Sequence, residues 1–135
     1  MVAFCAEPRA RSWNPSIMYG EVILEHFRHP RNYGSLEAPD IANEDLNPLC
    51  GDRVRIELSV EDGNVRAARF RGDLCMISKA ASSLLTEMIV GTPLESILDF
   101  PQERLIAALQ SEIRPARLNC VLLPLTVLKS AVRPK

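Results

Sequence analysis

A turn followed by a helix is predicted by residues 71–85, which read RGDLCMISKAASSLL. Gly72 and Asp73 are turn-forming residues, and the apolar residues after them recur at helical spacing on one face. Cys75 therefore lies where a helix begins, and the positive end of the helix dipole there favours the thiolate form. A thiolate binds metal ions and attacks sulfur, although a lone cysteine at such a place is more often a small core residue.

Two antiparallel strands are predicted immediately before this helix. Hydrophobic and polar residues alternate over residues 53–60, as expected for a strand with one buried face. Asp62-Gly63 is typical of a tight hairpin turn, and the return strand over residues 64–71 fits the same sheet if a β-bulge lies near Ala67-Ala68. A short edge strand is also predicted at residues 40–42.

Helical segments account for most of the remaining chain. Gly91 is a suitable residue just after the end of the Cys75 helix, and Thr92 is expected to cap a short helix with Pro93 at its first position. Pro124 is tolerated only in the first turn of a helix, which places the start of the last helix near Cys120. The predicted helices cover residues 18–29, 75–90, a short segment after Pro93, 101–109 and 120–132.

The two histidines lie near the end of the first predicted helix. His26 and His29 could bind a metal ion, but histidines at the end of a surface helix are usually solvated or paired with the helix dipole. We therefore expect neither of them in the functional site.

One domain is expected from the length of 135 residues. We predict a loose extension over residues 1–17, which lack a hydrophobic period, and a folded domain over residues 18–135. Hydrophobic residues make up 47% of the chain, enough for a core that needs no disulfides. A net charge of −1 gives no sign of nucleic-acid binding, and no apolar run is long enough to span a membrane.

The four cysteines are interpreted as thiols or metal ligands rather than as disulfides. The N-terminus lacks the charged and apolar regions of a secretory signal, so a reducing compartment, the cytoplasm, is expected. Cys5 lies in the predicted extension and is given no role.

Three cysteines lie at the ends of predicted elements. Cys50 comes just before the first strand of the hairpin, Cys75 just after its second strand, and Cys120 at the start of the last helix. Because a hairpin begins and ends at the same edge, Cys50 and Cys75 should be neighbours, and Cys120 can join them if the last helix points its N-terminus there. Asp52 offers a fourth donor for zinc or iron. Buried structural thiols remain the alternative at this point.

Four segments resemble motifs of the NifU-like, IscU and SufU iron–sulfur cluster assembly scaffolds. Residues 47–52, NPLCGD, resemble the N-P-x-C-G-D motif, and residues 75–83, CMISKAASS, resemble the C-x-I-S-x-A-S-A-S helix start. Residues 117–123, RLNCVLL, resemble the third-cysteine segment, and residues 29–34, HPRNYG, resemble the N-P-R-N-x-G stretch. The three cysteine motifs occur in the family's order.

This resemblance implies an α+β domain in which a small antiparallel sheet of about three strands packs against about five helices. It implies a transient [2Fe–2S] cluster or Zn²⁺ held by Cys50, Asp52, Cys75 and Cys120. A cysteine desulfurase would supply the sulfur to exposed cysteines, with Cys120 as the persulfide acceptor, and recipient apoproteins or carriers would take the cluster. The protein would then be a scaffold and sulfur acceptor rather than an enzyme.

Several positions depart from the family pattern. Asn119 stands where relatives carry His or Lys before the third cysteine, which shifts the expectation for the fourth ligand to Asp52. Leu74 stands where relatives usually carry Gly, and the insertion of SufU-like members between the second and third cysteines is missing. Residues 114–117, RPAR, do not reproduce the L-P-P-V-K segment of IscU, which argues against delivery by the dedicated Hsp70 chaperone.

Three functions follow from these observations. The first is a scaffold that assembles and passes on a [2Fe–2S] cluster. The second is a zinc-dependent, SufU-like sulfur-transfer partner that accepts persulfide sulfur and activates a desulfurase. The third is a structural zinc module without sulfur chemistry.

Overall fold

The computed structural model describes residues 15–48 and 51–133. The predicted extension over residues 1–17 thus lies almost entirely outside the described residues, and so does Cys50. Four α-helices, three strands and two short 3₁₀ helices make up the described part of the chain. In order they are α1 (Pro15–Arg28), β1 (Ile41–Leu46), β2 (Arg53–Glu61), β3 (Asn64–Asp73), α2 (Met76–Ile89), a 3₁₀ helix (Leu94–Asp99), α3 (Gln102–Ala108), a second 3₁₀ helix (Pro115–Arg117) and α4 (Leu118–Val132).

The three strands form one antiparallel sheet in the order β1-β2-β3. Asp62 and Gly63 join β2 to β3, and both have positive φ angles, 54° and 79°, as a tight hairpin turn requires. Ser59 pairs with Ala67 and Val60 with Val65, so Arg66 is the extra residue of a bulge in β3. The bulge therefore lies next to its predicted position and brings the apolar residues of β3 onto one buried face.

The hydrophobic core lies between one face of the sheet and the helices. Val54, Ile56 and Leu58 of β2 are buried there with Phe70 of β3, as are the apolar residues of α2 and α4. The predicted α+β domain with a three-stranded antiparallel sheet is confirmed. Among the described residues, no helix combines the length and the apolar composition needed to cross a membrane.

The start of α4 differs from the prediction. The helix begins at Leu118, directly after the 3₁₀ helix Pro115–Arg117, so helical conformation is already established before Cys120. Pro124 therefore lies in the second turn, inside the helix. A proline has no N–H to donate to the Cys120 carbonyl four residues earlier, and Pro124 is buried within the helix.

The predicted Thr92 cap is also wrong. The Thr92 hydroxyl donates to the Ile89 carbonyl at 2.6 Å, so it closes the end of α2 instead of starting the next helix. Pro93 takes the capping position of the following 3₁₀ helix and makes no side-chain capping bond. The edge strand β1 exists, but it runs from Ile41 to Leu46 and is longer than the predicted residues 40–42.

Candidate metal centre

The hairpin brings Asp52 and Cys75 together, as the sequence predicted for this end of the sheet. Arg53, the first residue of β2, pairs with Asp73, the last residue of β3. Asp52 therefore lies beside the start of α2, where its Oδ1 atom accepts a hydrogen bond of 3.3 Å from the backbone N–H of Cys75. The carboxylate thus holds the loop before β2 against the turn after β3.

Cys75 is the residue that caps the N-terminus of α2. Its backbone is extended, with φ −72° and ψ 173°, and its Sγ atom accepts a hydrogen bond of 3.4 Å from the backbone N–H of Ser78. Ser, Thr, Asp and Asn usually fill this position, because the side chain must accept from an unpaired N–H of the first turn. The Cys75 sulfur does so here, and the side chain is half-buried.

Cys120 enters the same site from the first turn of α4. Helix α4 packs against α2, β1 and β2, and this packing points its N-terminus to the end of the hairpin. The ligand atoms of Asp52, Cys75 and Cys120 all lie within 4.8 Å of one another. The three residues that the sequence analysis placed together and that the structure describes do form one cluster.

The exposure of the thiols differs from the expectation. The resemblance implied exposed cysteines. In the structure Cys120 is only 1% exposed, and Cys75 is only partly exposed. The reason is that Cys120 lies on the face of α4 that packs against the sheet and α2. A reaction partner therefore meets the Cys75 side of the site first.

The Asp52 carboxylate shows that the cluster suits a cation. Asp52 is 6% exposed, and among the described residues its Oδ2 atom has no hydrogen-bond partner. A buried carboxylate oxygen without a partner is costly, and a metal ion is one of the few groups that can compensate it. Two sulfur atoms and one carboxylate oxygen are suitable donors for zinc or iron. The residues present therefore fit a metal centre.

His26 contradicts the sequence-based expectation of a solvated histidine. It is 8% exposed, and its Nδ1 atom lies 2.7 Å from the Ser83 hydroxyl of α2. Burial, followed by the nearby charge of Arg31, lowers the pKa of His26, while Glu87 and Glu25 act in the opposite direction. His26 lies three residues after the buried Ile23, and that helical spacing was the sequence signal for its burial. His29 is exposed, as expected.

Ser78 is the site residue that the sequence analysis did not single out. Its hydroxyl oxygen lies 3.3 Å from the Cys75 sulfur, and the residue is completely buried. Its place three residues after a helix-capping position was a usable signal, because side chains in the first helical turn lie close to the cap.

Comparison with known proteins identifies the family. The sequence profile of the family described as "NifU-like N terminal domain" matches residues 18–134. The chain belongs to this family. Among relatives of the NifU-like N-terminal domain, the iron–sulfur cluster assembly scaffold protein IscU of Thermotoga maritima is 34% identical over 87% of this chain and 94% of its own length.

A second relative in this family carries a different activity in its name. The zinc-dependent sulfurtransferase SufU of Bacillus subtilis is 36% identical over 85 residues, which cover 63% of this chain and 57% of that protein. The chain therefore spans a little more than half of SufU.

Solved structures of NifU-like proteins share the fold. The crystal structure of the N-terminal part of a NifU-like protein from Brucella abortus aligns with a TM-score of 0.69, covering 88% of this chain and 94% of that one, at 21% identity. The SUF-system protein FiSufU of Fervidobacterium islandicum aligns with a TM-score of 0.75 over 89% of this chain and all of that one, at 22% identity.

Two of the departures from the NifU-like pattern, Leu74 and Asn119, have different surroundings. Leu74 packs its side chain against the core next to Cys75. Asn119 is exposed beside the buried Cys120. The position before the third cysteine therefore lies on the protein surface, beside the candidate metal centre.

Proposed function

We propose that this protein is an iron–sulfur cluster assembly scaffold that receives sulfur from a cysteine desulfurase, builds a [2Fe–2S] cluster and transfers it to apoproteins or carriers. The ligands in this proposal are Cys50, Asp52, Cys75 and Cys120, within a domain of residues 18–135. The observation that carries it is the unpartnered Oδ2 atom of buried Asp52 in a cluster with two cysteines. Membership of the NifU-like family and the relative named IscU support it.

The donor set suits a cluster that must leave again. A carboxylate oxygen is a harder ligand than a thiolate and binds the iron of a cluster less firmly. Asp52 is also tied to the backbone of Cys75 through its other oxygen, so it can keep its place when the cluster departs. The site is therefore better suited to a transient cargo than to a permanent electron-transfer centre.

The sulfur step in this proposal uses the Cys120 thiolate as acceptor. Because Cys120 is buried, the step requires the start of α4 to open when the desulfurase binds. The thiolate attacks the outer sulfur of the desulfurase persulfide, a new S–S bond forms at Cys120, and the desulfurase cysteine leaves as a thiolate. The transferred sulfur keeps its oxidation state in this exchange, and its later conversion to sulfide takes two electrons from an external electron donor. Thiols must stay reduced for this chemistry, so the proposal places it in the cytoplasm.

A second function is zinc-dependent sulfur transfer that activates a desulfurase without building clusters. The relative named zinc-dependent sulfurtransferase SufU supports it, and the oxygen and sulfur donors of the site suit zinc equally well. Here one zinc ion would be held by the same residues, and the product would be a persulfide rather than a cluster.

Anaerobic incubation with a cysteine desulfurase, cysteine and ferrous iron tests the first proposal against the second. The scaffold proposal expects a visible charge-transfer absorption on the repurified protein together with iron and acid-labile sulfide. One tightly held zinc ion, faster desulfurase turnover and no sulfide would favour the second function instead.

Single cysteine variants test the ligand set. Cys50→Ser, Cys75→Ser and Cys120→Ser should each lower the amount of bound metal, whereas the matched control Cys5→Ser, which is outside the proposed site, should bind as the unmodified protein does. If the three site variants fold and retain their metal, the ligand set is wrong. Mass spectrometry after incubation with the desulfurase should find one added sulfur atom on Cys120, and modification of Cys75 alone would overturn the acceptor assignment.

A further inference from the structure

Ser78 has a hydroxyl group with one proton and two acceptors within reach. Its Oγ atom lies 3.2 Å from the Cys75 carbonyl oxygen and 3.3 Å from the Cys75 sulfur. The residue is completely buried, so water does not compete for this proton. Within the described part of the chain, the hydrogen bonds of the Ser78 hydroxyl all go to Cys75.

The buried hydroxyls of Ser82 and Thr86 on α2 have only backbone carbonyls as acceptors among the described residues. Ser82 donates to the Ser78 carbonyl at 2.8 Å, and Thr86 lies 3.0 Å from the Ser82 carbonyl and 2.9 Å from the Ser83 carbonyl. Both contact backbone carbonyls one turn earlier in the helix, as buried Ser and Thr residues commonly do. Ser78 differs because a sulfur atom of the candidate metal centre lies as close to it as the carbonyl does.

The Cys75 carbonyl does not depend on Ser78. It already accepts the helical hydrogen bond of 2.9 Å from the backbone N–H of Lys79. The Ser78 hydroxyl can therefore turn away from this carbonyl without leaving it unsatisfied.

We infer that Ser78 is a positioning residue for the metal-bound sulfur of Cys75, to which its hydroxyl donates a hydrogen bond. This inference rests on the proposed metal centre. A metal-bound cysteine sulfur carries no proton and bears negative charge, and a hydroxyl donates more strongly to a charged acceptor than to a neutral carbonyl. The sulfur then has two donors from the same residue, the backbone N–H and the side-chain O–H of Ser78. Such hydrogen bonds orient a ligand and lower the energy of its lone pairs.

Cobalt(II) bound to the purified protein reports on this hydrogen bond, because the charge-transfer band from thiolate to cobalt depends on the energy of the sulfur lone pairs. Ser78→Ala should shift this band to longer wavelength, since the sulfur loses one donor. Ser78→Thr keeps the hydroxyl and should restore the band to its original position. Ser82→Ala is the matched control, because it removes an equally buried hydroxyl one turn further along α2 that does not contact the sulfur.

The outcomes separate this inference from the proposed function. If the unmodified protein shows the band and Ser78→Ala leaves its wavelength unchanged, the role of Ser78 is overturned. The metal centre then still stands. A shift of equal size in Ser82→Ala also overturns it, because the effect would then be a general change in α2. If the unmodified protein shows no thiolate-to-cobalt band, the metal centre itself fails, and the role of Ser78 fails with it.

Discussion

The backbone N–H of Cys75 donates to Oδ1 of Asp52 at 3.3 Å, across 23 positions of the chain. This hydrogen bond connects the loop before β2 to the N-terminus of α2. It leaves the second oxygen of the carboxylate buried and, among the described residues, without a hydrogen-bond partner. One side chain thus has a structural contact and a candidate ligand atom at the same time.

We predict that Asp52→Asn stabilises the metal-free protein while weakening metal binding. Asparagine keeps an oxygen that accepts from the Cys75 N–H but removes the buried carboxylate oxygen that has no partner among the described residues, so the free energy of unfolding should rise by about 1 kcal/mol. The increase in melting temperature that zinc causes should shrink, since one ligand is lost. Thermal unfolding with and without zinc measures both effects. Asp73→Ala, an exposed aspartate at the same end of the sheet, should change neither.

Gly72 is expected to tolerate no side chain. It has φ 151°, and a Cβ atom there would overlap the carbonyl of Arg53 on the neighbouring strand. Gly72→Ala should therefore lower the free energy of unfolding by about 3 kcal/mol and also weaken metal binding, because the two strands separate beside the site. Urea unfolding and zinc titration measure these losses.

Gly63→Ala is the matched control for this effect. Gly63 also has a positive φ, 79°, but a Cβ atom would meet nothing within 4 Å. Gly63→Ala should lower the free energy of unfolding by about 1 kcal/mol, from backbone conformation alone, and leave the zinc affinity unchanged. Equal losses in the two variants would show that the close approach at Gly72 does not matter.

Glu57 is a buried acid whose charge should stabilise the fold. The alternation of β2 predicted that it faces water, but it is 4% exposed, with Arg55 2.7 Å from its Oε2 atom and the Leu36 N–H 2.8 Å from Oε1. Burial raises the pKa of Glu57, but the hydrogen bonds from Arg55 and Leu36 and the charges of Arg55 and Arg71 outweigh it, so the pKa is lowered overall.

Glu57→Gln should therefore cost about 2 kcal/mol of stability at neutral pH. In the unmodified protein the contribution of this charge is present above the ordinary pKa of a glutamate and disappears as the pH falls through the lowered pKa. The variant should accordingly lose less stability on acidification. Glu61→Gln, at the exposed end of the same strand, should stay within about 0.5 kcal/mol of the original protein.

His26 should also make the stability of the protein depend on pH, at higher pH values than Glu57 does. Its pKa is lowered, chiefly by burial, so the unfolded chain binds a proton more readily than the folded one. Stability should be greatest above pH 6.5, about the ordinary value for histidine, and should fall as the pH decreases towards the lowered pKa.

The variants His26→Asn and His29→Asn test this assignment by urea unfolding at pH values on both sides of that range. His26→Asn removes the titrating ring and should flatten the pH dependence, whereas His29→Asn should retain it because His29 is exposed. A pH dependence that survives in His26→Asn would show that another group is responsible.

Much of the fold is visible in the sequence because strands and helices impose their own periods on the chain. The alternation of apolar and polar residues predicted strand β2, and the apolar spacing predicted helix α2. The Asp62-Gly63 pair predicted the hairpin turn. The hairpin argument predicted that Cys50 and Cys75 are neighbours. Cys50 lies outside the described residues, but Asp52, two residues after it, does contact Cys75.

Other features depend on what packs across the chain, and a period along the sequence does not contain that information. His26 is buried because α1 packs against α2, whose Ser83 hydroxyl lies 2.7 Å from its Nδ1 atom. Glu57 is buried because Arg55, Arg71 and the Leu36 N–H approach its carboxylate. The predicted place of Pro124 in the first turn of α4 was wrong for a related reason, because the 3₁₀ helix Pro115–Arg117 leads directly into α4 and leaves Pro124 buried inside the helix.

By itself the sequence determined that Asp52 lies just before the first strand of a hairpin and that Cys75 lies at the start of the helix after the second strand. Only the tertiary structure decided that the ligand atoms of Asp52, Cys75 and Cys120 converge within 4.8 Å and that Cys120 is buried. The physical reason is that local backbone preferences fix where an element begins, whereas the packing of α4 against α2 and the sheet fixes the direction in which its first turn points.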